Sequence, residues 1–325
     1  MSRTENNERV SLGVLVGMII LLSGAAWAQD SAKEQCSMAV VSRLVGGQQK
    51  VCDTTMVEDM ACRGHAFEQN QLGLASILAI GPDFNEEEAV RWFEQAAQRG
   101  YAPAQVNLAV MYINGWGTPT NYGSGLHWLH VAAEQKFGRA YYNLGILYLR
   151  GQGVRQDYSE AFKWFEKGAN AGDSDAQTNL GYMYDQGLGC ERNIKTAAVW
   201  YRKAAEAGNP LGENNLADLL LRGEGVQQDS AEAFRLFQSA AAQGHTGARI
   251  KLAYMHAEGM GTAKDPESAY VWLTSASLAG DQRGRDLLLK LEGQLTPQQI
   301  TEARQRAHNL FAPMGKQLSA TAFAQ

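Results

Sequence analysis

Apolar positions along this chain recur at helical spacing, and the whole pattern returns every 36 residues. Ala104, Leu108 and Tyr112 stand four apart, a stripe along one helical face. The run stops at Gly115, a residue that can take the left-handed conformation closing a helix. This segment is helix A. A second helix, B, is announced by a polar N-cap in one column: Asn85, Asn121, Asp157, Asn193, Asp229 and Asp265. Glu88, Glu160 and Glu232 follow three residues on as capping-box partners, and Pro266 takes the first helical position after Asp265. The core stripe of helix B is read as Ala161, Trp164 and Gly168, or Ala197, Trp200 and Ala204.

The register holds without drift. Leucine recurs at Leu72, Leu108, Leu144, Leu180, Leu216, Leu252 and Leu288, each 36 residues after the last. Gly64, Gly100, Gly172, Gly208, Gly244 and Gly280 form a second column, broken only by Lys136. Ala89, Ala161, Ala197, Ala233 and Ala269 form a third, with Gly125 in the gap. Trp92, Trp128, Trp164, Trp200 and Trp272 form a fourth, with Leu236 as its exception. Gly-x-Gly loops fall at 115–117, 151–153, 187–189, 223–225 and 259–261. A fixed period of this length marks a repeat architecture. One hairpin alone cannot bury its Trp, so the units must stack. The predicted fold is all-α, a right-handed α/α superhelical solenoid of tandem 36-residue hairpins.

The N-L-G, G-x-G and A-x-x-W-x-x-A-A signatures, clearest in 140–154 and 176–189, resemble the Sel1-like repeat family, relatives of the tetratricopeptide repeats with a longer loop between the helices. The predicted organisation is a signal peptide over 1–28 and a degenerate capping hairpin over 29–63. Six repeats follow at 64–99, 100–135, 136–171, 172–207, 208–243 and 244–279. Leu288 is expected to open a last helix A within capping helices over 280–310, before a tail over 311–325.

The resemblance implies a concave surface lined by helix A. Asn107, Asn143, Asn179 and Asn215 precede the leucine column by one residue and so share a face about 100° from the packed stripe. The corresponding Asn in related repeats contacts ligand peptide, while a ladder that only ties helices together is the structural alternative. Arg150, Tyr182, Arg222, Lys251 and Tyr254 lie around that column at helical spacing, a lining of mixed charge with tyrosines as rigid anchors.

Composition narrows the function class. Apolar residues make up 45% and charged ones 19%, which argues against wholesale disorder. A net charge of −5, with no Lys/Arg run, leaves no footprint for nucleic acid. The apolar stretch from Val10 to Leu22, followed by Ala26-Trp27-Ala28, has the shape of a secretory signal cleaved after Ala28. A periplasmic or secreted protein is expected, with an uncleaved inner-membrane anchor facing the periplasm as the alternative. In an exported chain the clustered Cys36, Cys52 and Cys62 suggest one local bridge. Register in the leading hairpin favours Cys36 to Cys52, with Cys52 to Cys62 as runner-up, and Cys190 reads as a small buried hydrophobe.

Each chemical motif meets a structural reading. No Gly-Lys-Ser/Thr follows the Gly-x-Gly pairs, and five copies at one period call for a structural cause. His127 and His130 flank Trp128 with metal-ligand spacing, but their columns elsewhere hold solvent-face residues such as Arg91, Lys163, Glu94 and Glu166. The serine-nucleophile and zinc-peptidase signatures are lacking. The chain therefore reads as a non-catalytic scaffold or adaptor of the bacterial cell envelope. It is expected to need no cofactor and to bind a protein or peptide partner on the helix A surface, and the resemblance to bacterial members of the family implies envelope polysaccharide machinery among the candidates. The alternatives are a β-lactam-interacting or other envelope enzyme, and a glycan-binding scaffold in which Trp116 and the tyrosines stack on sugar.

Overall fold

The computed structural model describes residue 61 and residues 63–78 and 85–311. The predicted signal segment, almost all of the leading hairpin, the Cys36–Cys52 pair and the tail beyond 311 lie outside the described residues. Fourteen helices and no strand occur among the described residues. Helices A are α1 (Ala66–Leu78), α3 (Ala102–Asn114), α5 (Gly138–Arg150), α7 (Ser174–Gln186), α9 (Pro210–Arg222), α11 (Thr246–Glu258) and α13 (Gln282–Glu292). Helices B are α2 (Glu86–Gln98), α4 (Tyr122–Glu134), α6 (Tyr158–Asn170), α8 (Ile194–Glu206), α10 (Ser230–Ala242), α12 (Pro266–Leu278) and α14 (Pro297–Phe311). The chain is all-α, built of tandem helical hairpins. They form two compact units, one ending at Ala171 with α1–α6 and the other starting at Gly172 with α7–α14.

Every expected helix B cap is present. Asn121 Oδ1, for example, accepts from the Ser124 N–H at 3.0 Å, and Asp229 Oδ1 from the Glu232 N–H at 2.8 Å. The second arm of the capping box is replaced, however. The N–H of each cap residue donates to a helix A carbonyl nine residues back, as from Asn121 to Tyr112 at 2.7 Å and from Asp265 to His256 at 2.8 Å. That bond closes the hairpin and frees the glutamates for other partners. Glu88 accepts from the Trp92 indole at 3.4 Å, Glu160 pairs with Lys163 at 2.7 Å, and Glu232 pairs with Arg202 of the preceding helix B at 2.6 Å.

The two glycine columns answer different demands. After helix B the backbone turns through positive φ at Gly100, Gly172, Gly208 and Gly280, where an added Cβ would meet nothing within 4 Å. Only the dihedral selects glycine there, so Lys136 can hold φ 60 in the same slot with strain but no clash. In the Gly-x-Gly loops the second glycine is chosen by contact as well. A Cβ on Gly225 would stand 2.8 Å from the backbone of Ile194, the first residue of the preceding helix B. Gly117, Gly153 and Gly261 meet the first residue of the preceding helix B in the same way, so these loops help to stack repeats within each unit.

The core differs from the expected stripe by one residue. Trp92, Trp128, Trp164, Trp200 and Trp272 are all only partly buried. The residues after them, Phe93, Leu129, Phe165, Tyr201 and Leu273, together with Phe237, are the buried column. Each of these rings or leucines faces the residue after the helix A leucine. A Cβ on Gly73, Gly145 or Gly181 would come within 2.6 to 2.7 Å of Phe93, Phe165 or Tyr201. Two of the tryptophans instead staple successive hairpins. Trp128 packs against the buried clusters on both sides of it, and Trp272 does the same in the second unit. Trp164 and Trp200 carry cations over their ring faces, Lys167 Nζ at 4.1 Å and Lys203 Nζ at 4.0 Å from the ring centroids.

Two further expectations are corrected. The last helix A opens at Gln282, capped by Asp281, and Leu288 lies well inside it. That start keeps the 36-residue register of the preceding helices A. Cys190 is half-buried, its thiol 3.6 Å from the Met183 carbonyl, with burial raising its pKa above the ordinary value. Beyond α13, Tyr270 donates to Glu292 at 2.7 Å and accepts from Arg304 Nε at 2.9 Å, tying α14 to α12.

Candidate functional site

The helix A face is where the sequence concentrates candidate contacts, and its four Asn residues do not share one role. In the first unit Asn107 is buried and donates to Asn70 Oδ1 at 2.9 Å, a tie between α3 and α1. Asn143 is half-buried and donates to the Arg139 carbonyl one turn back at 2.8 Å. Arg150 stands exposed at the end of the same helix. In the second unit Asn179 repeats the Asn143 geometry, donating to the Asp175 carbonyl at 2.8 Å. Asn215 is half-buried and bonds the phenol of Tyr201, while its Oδ1 accepts from Asn214 at 3.2 Å. Asn107 and Asn215 are therefore ties between helices, as the structural alternative predicts. Asn143 and Asn179 bond only their own helix among the described residues.

The second unit adds apolar surface to this face. Tyr182, Leu211 and Tyr254 are 44%, 44% and 53% exposed on α7, α9 and α11. Fully burying an exposed apolar side chain is worth about 1.5–3 kcal/mol, so covering each of these half-exposed ones against a partner is worth roughly half of that. Neighbouring charges are largely neutralised in place. Lys251 reaches Asp218 at 2.9 Å, and Arg222 reaches Glu224 at 3.4 Å. Asn209, buried at the start of α9, donates to Asp175 Oδ1 at 2.7 Å and joins α9 to α7. The face is thus a bonded polar lattice with three projecting apolar side chains. Arg222, Lys251 and Tyr254 are exposed.

Leu211, one turn before Asn215 and so at the helical spacing that places it on this face, follows the Asn209 cap and Pro210 at the start of α9 and is exposed. The loop Trp116 is partly buried and packs on the cluster containing Phe93, so it is a filler of the first unit and not an open stacking platform. His127 and His130 are exposed and lean edge-on against Trp128 and Trp164, with ring centroids 5.4 and 5.7 Å apart. Among the described residues no three His, Cys, Asp or Glu side chains gather in a way that could hold a metal ion. On the helix B side of the second unit, a shallow depression of about 340 Å³ is lined by Lys195, Val199, Arg202 and Lys203. Of its cations, Arg202 is engaged by Glu232 and Lys203 by the Trp200 ring.

Comparison with known proteins places this architecture. The model of the Sel1 repeat matches six consecutive segments, 69–101, 102–137, 138–173, 174–209, 210–245 and 247–281. The structure of c5321, a protective antigen of uropathogenic Escherichia coli strains with an SLR fold, is similar at 32% identity and a TM-score of 0.62. That match covers 90% of this chain, which spans 63% of the antigen's length. A Sel1 repeat protein from Oxalobacter formigenes is similar at 28% identity and a TM-score of 0.64, over 70% of this chain and 93% of that one. No curated protein matches the chain. With repeat matches across most of its length and the same tandem hairpins in solved relatives, the chain belongs to the Sel1 repeat family.

Proposed function

We propose that this protein is a non-catalytic scaffold of the bacterial cell envelope that captures a protein or peptide partner on its helix A face. Sel1 repeat proteins are generally scaffolds that mediate protein–protein interaction. The observation that carries the reading here is the exposure of Tyr182, Leu211 and Tyr254 on successive helices A of the second unit, beside the polar groups of Asn179, Arg222 and Lys251. Rigid aromatics with adjacent hydrogen-bonding groups are the usual anchors of an extended ligand. Asn143 and Arg150 offer the equivalent polar contacts in the first unit. Support for an envelope address is the secretory shape of residues 10–28, and polysaccharide-export machinery is a candidate client.

The test is crosslinking capture from periplasmic extract with the full chain and with a Tyr182→Ala/Tyr254→Ala variant. Both side chains are exposed, so melting should stay near wild type while recovery of specific partners falls at least tenfold. Undiminished recovery by the double variant would remove the helix A face from the reading, and absence of the protein from both the periplasmic and the inner-membrane fractions would remove the envelope assignment.

A further inference from the structure

We propose that the turn joining α10 to α11 in the second unit is an acid-released joint, with the imidazole of His245 as its latch. The position begins a helix A, and its column is capped in different ways along the chain. Asp173, Asn209 and Asp281 accept backbone N–H groups through side-chain oxygens, whereas Tyr101 and Phe137 make no side-chain cap bond. His245 caps with a ring nitrogen: Nδ1 accepts from the Ala248 N–H at 3.0 Å. That bond requires a lone pair on Nδ1, so the ring is neutral with its proton on Nε2. His65 holds the same column before α1; of the six helix A starts from α3 to α13, His245 is the one whose cap can be lost by gaining a proton near neutral pH.

Protonation acts twice at this point. It removes the acceptor, exposing an unpaired N–H in the first turn of α11, and it sets a positive charge at the positive end of the helix dipole. The charged groups facing His245 are Asp218 on α9 and Arg249 on its own helix. Asp218 favours the imidazolium, but its carboxylate is already held by Lys251 at 2.9 Å. Arg249 disfavours the charge, and the last turns of α10 and α12 carry no ionisable side chain. Burial is the largest influence and, with Arg249, keeps the imidazole below its ordinary value of 6.5 despite Asp218. The neutral form is therefore the folded one. The joint is intact above the ordinary histidine value and loosens as pH falls through it toward the lower folded value.

The other side of the turn is anchored independently. Glu213 of α9 is buried and accepts from Ser239 Oγ at 2.7 Å and from Gln243 Nε2 at 3.0 Å, gripping the final turn of α10. Burial raises the Glu213 carboxyl above its ordinary value, against the bonds from Ser239 and Gln243. A neutral carboxyl would still accept from Gln243 Nε2 and donate to Ser239 Oγ, so the end of α10 keeps its tie to α9 while acid releases the start of α11. The change is local to the joint before the sixth repeat.

Amide hydrogen exchange by mass spectrometry on the full chain, corrected for the intrinsic effect of pH, reads this directly. Peptides covering 245–250 should lose about fivefold protection between pH 7.5 and pH 5.0, the loss expected for one helix cap. Peptides over the Asn209-capped turn should keep theirs. His245→Asn, which supplies the oxygen cap of Asn209 without a titrating group, should make 245–250 insensitive to pH. His245→Ala should show low protection at both values. Constant wild-type protection across this range, or the same loss in His245→Asn, would overturn the proposal.

Discussion

The close approach of Gly145 on α5 to the Phe165 ring on α6 sets up a quantitative test of how these hairpins pack. A Cβ on Gly145 would lie 2.6, 2.7 and 3.0 Å from three ring carbons, against the roughly 3.5–4.0 Å of a relaxed carbon contact. The ring must then retreat by roughly 1 Å within a fully buried site, and overpacking of this kind costs about 1–3 kcal/mol. Ala217 and Phe237, both fully buried, occupy the equivalent positions of the fifth hairpin, so a methyl group and a phenyl ring can share the slot. The cost in Gly145→Ala accordingly belongs near the low end, about 1–2 kcal/mol, and is partly offset by about 0.5–1 kcal/mol of helix propensity. Phe165→Leu alone should cost about 1–2 kcal/mol in lost burial. Combined, the two substitutions recreate the pairing of Ala109 with Leu129 and of Ala253 with Leu273. The clash disappears while the helix gain stays, so the double variant should be more stable than the sum of the singles by about 1–2 kcal/mol. Urea unfolding of all four proteins by far-UV circular dichroism measures this coupling. Additivity within about 0.5 kcal/mol would show that the ring does not rest on Gly145 and would refute the packing scheme.

The same reasoning separates other positions. Phe165→Ala should destabilise by about 3–5 kcal/mol as a core truncation, but Trp164→Ala, which removes a half-buried staple and the Lys167 contact, by about 2 kcal/mol; equal shifts in denaturation midpoint would contradict the one-residue displacement of the core. Lys136→Gly should raise stability by about 0.5–1 kcal/mol, seen as a higher melting temperature, because the positive φ is kept and an L side chain no longer strains it. The Cys36–Cys52 bridge remains a proposal, checked by alkylation and intact mass, in which two thiols should be unreactive until reduction and four reactive thiols would discard it.

Much of this fold is legible because repetition turns a single sequence into several observations of one unit. The helix B caps, the left-handed glycines and the separation of helix A from helix B each appear five or six times, so one exception such as Lys136 cannot obscure the column. Repetition did not tell which face of helix B is inside. Trp164 and Phe165 are adjacent, both belong to aromatic-rich columns, and a rotation of 100° exchanges their environments. Size points to Trp as the buried member, but the close packing at Gly145 leaves room for a single ring and sends the larger indole to the seam between hairpins. The clue lay 20 residues away, where Gly73, Gly145 and Gly181 precede Phe93, Phe165 and Tyr201, and Ala109 and Ala253 precede Leu129 and Leu273.

The candidate site was harder to read for the opposite reason. A repeated residue invites a shared function, yet Asn107, Asn143, Asn179 and Asn215 meet different neighbours: Asn70, two helix carbonyls, and the Tyr201 phenol. Column identity fixes the direction of a side chain, and what it bonds is fixed by residues that do not repeat. Asn70 follows Gln69 in the first repeat, where the corresponding residue of the second is Val106; Tyr201 takes a column elsewhere held by Phe or Leu. The capping box shows the same limit at a finer scale. Asp229 and Glu232 have the spacing of a reciprocal pair, but the N–H that Glu232 would accept is taken by the Leu220 carbonyl, leaving the glutamate to reach Arg202 of the neighbouring repeat. Local spacing thus specifies the start of each helix, while the long-range closure of the hairpin decides which of its groups remain free to hold the next repeat in place.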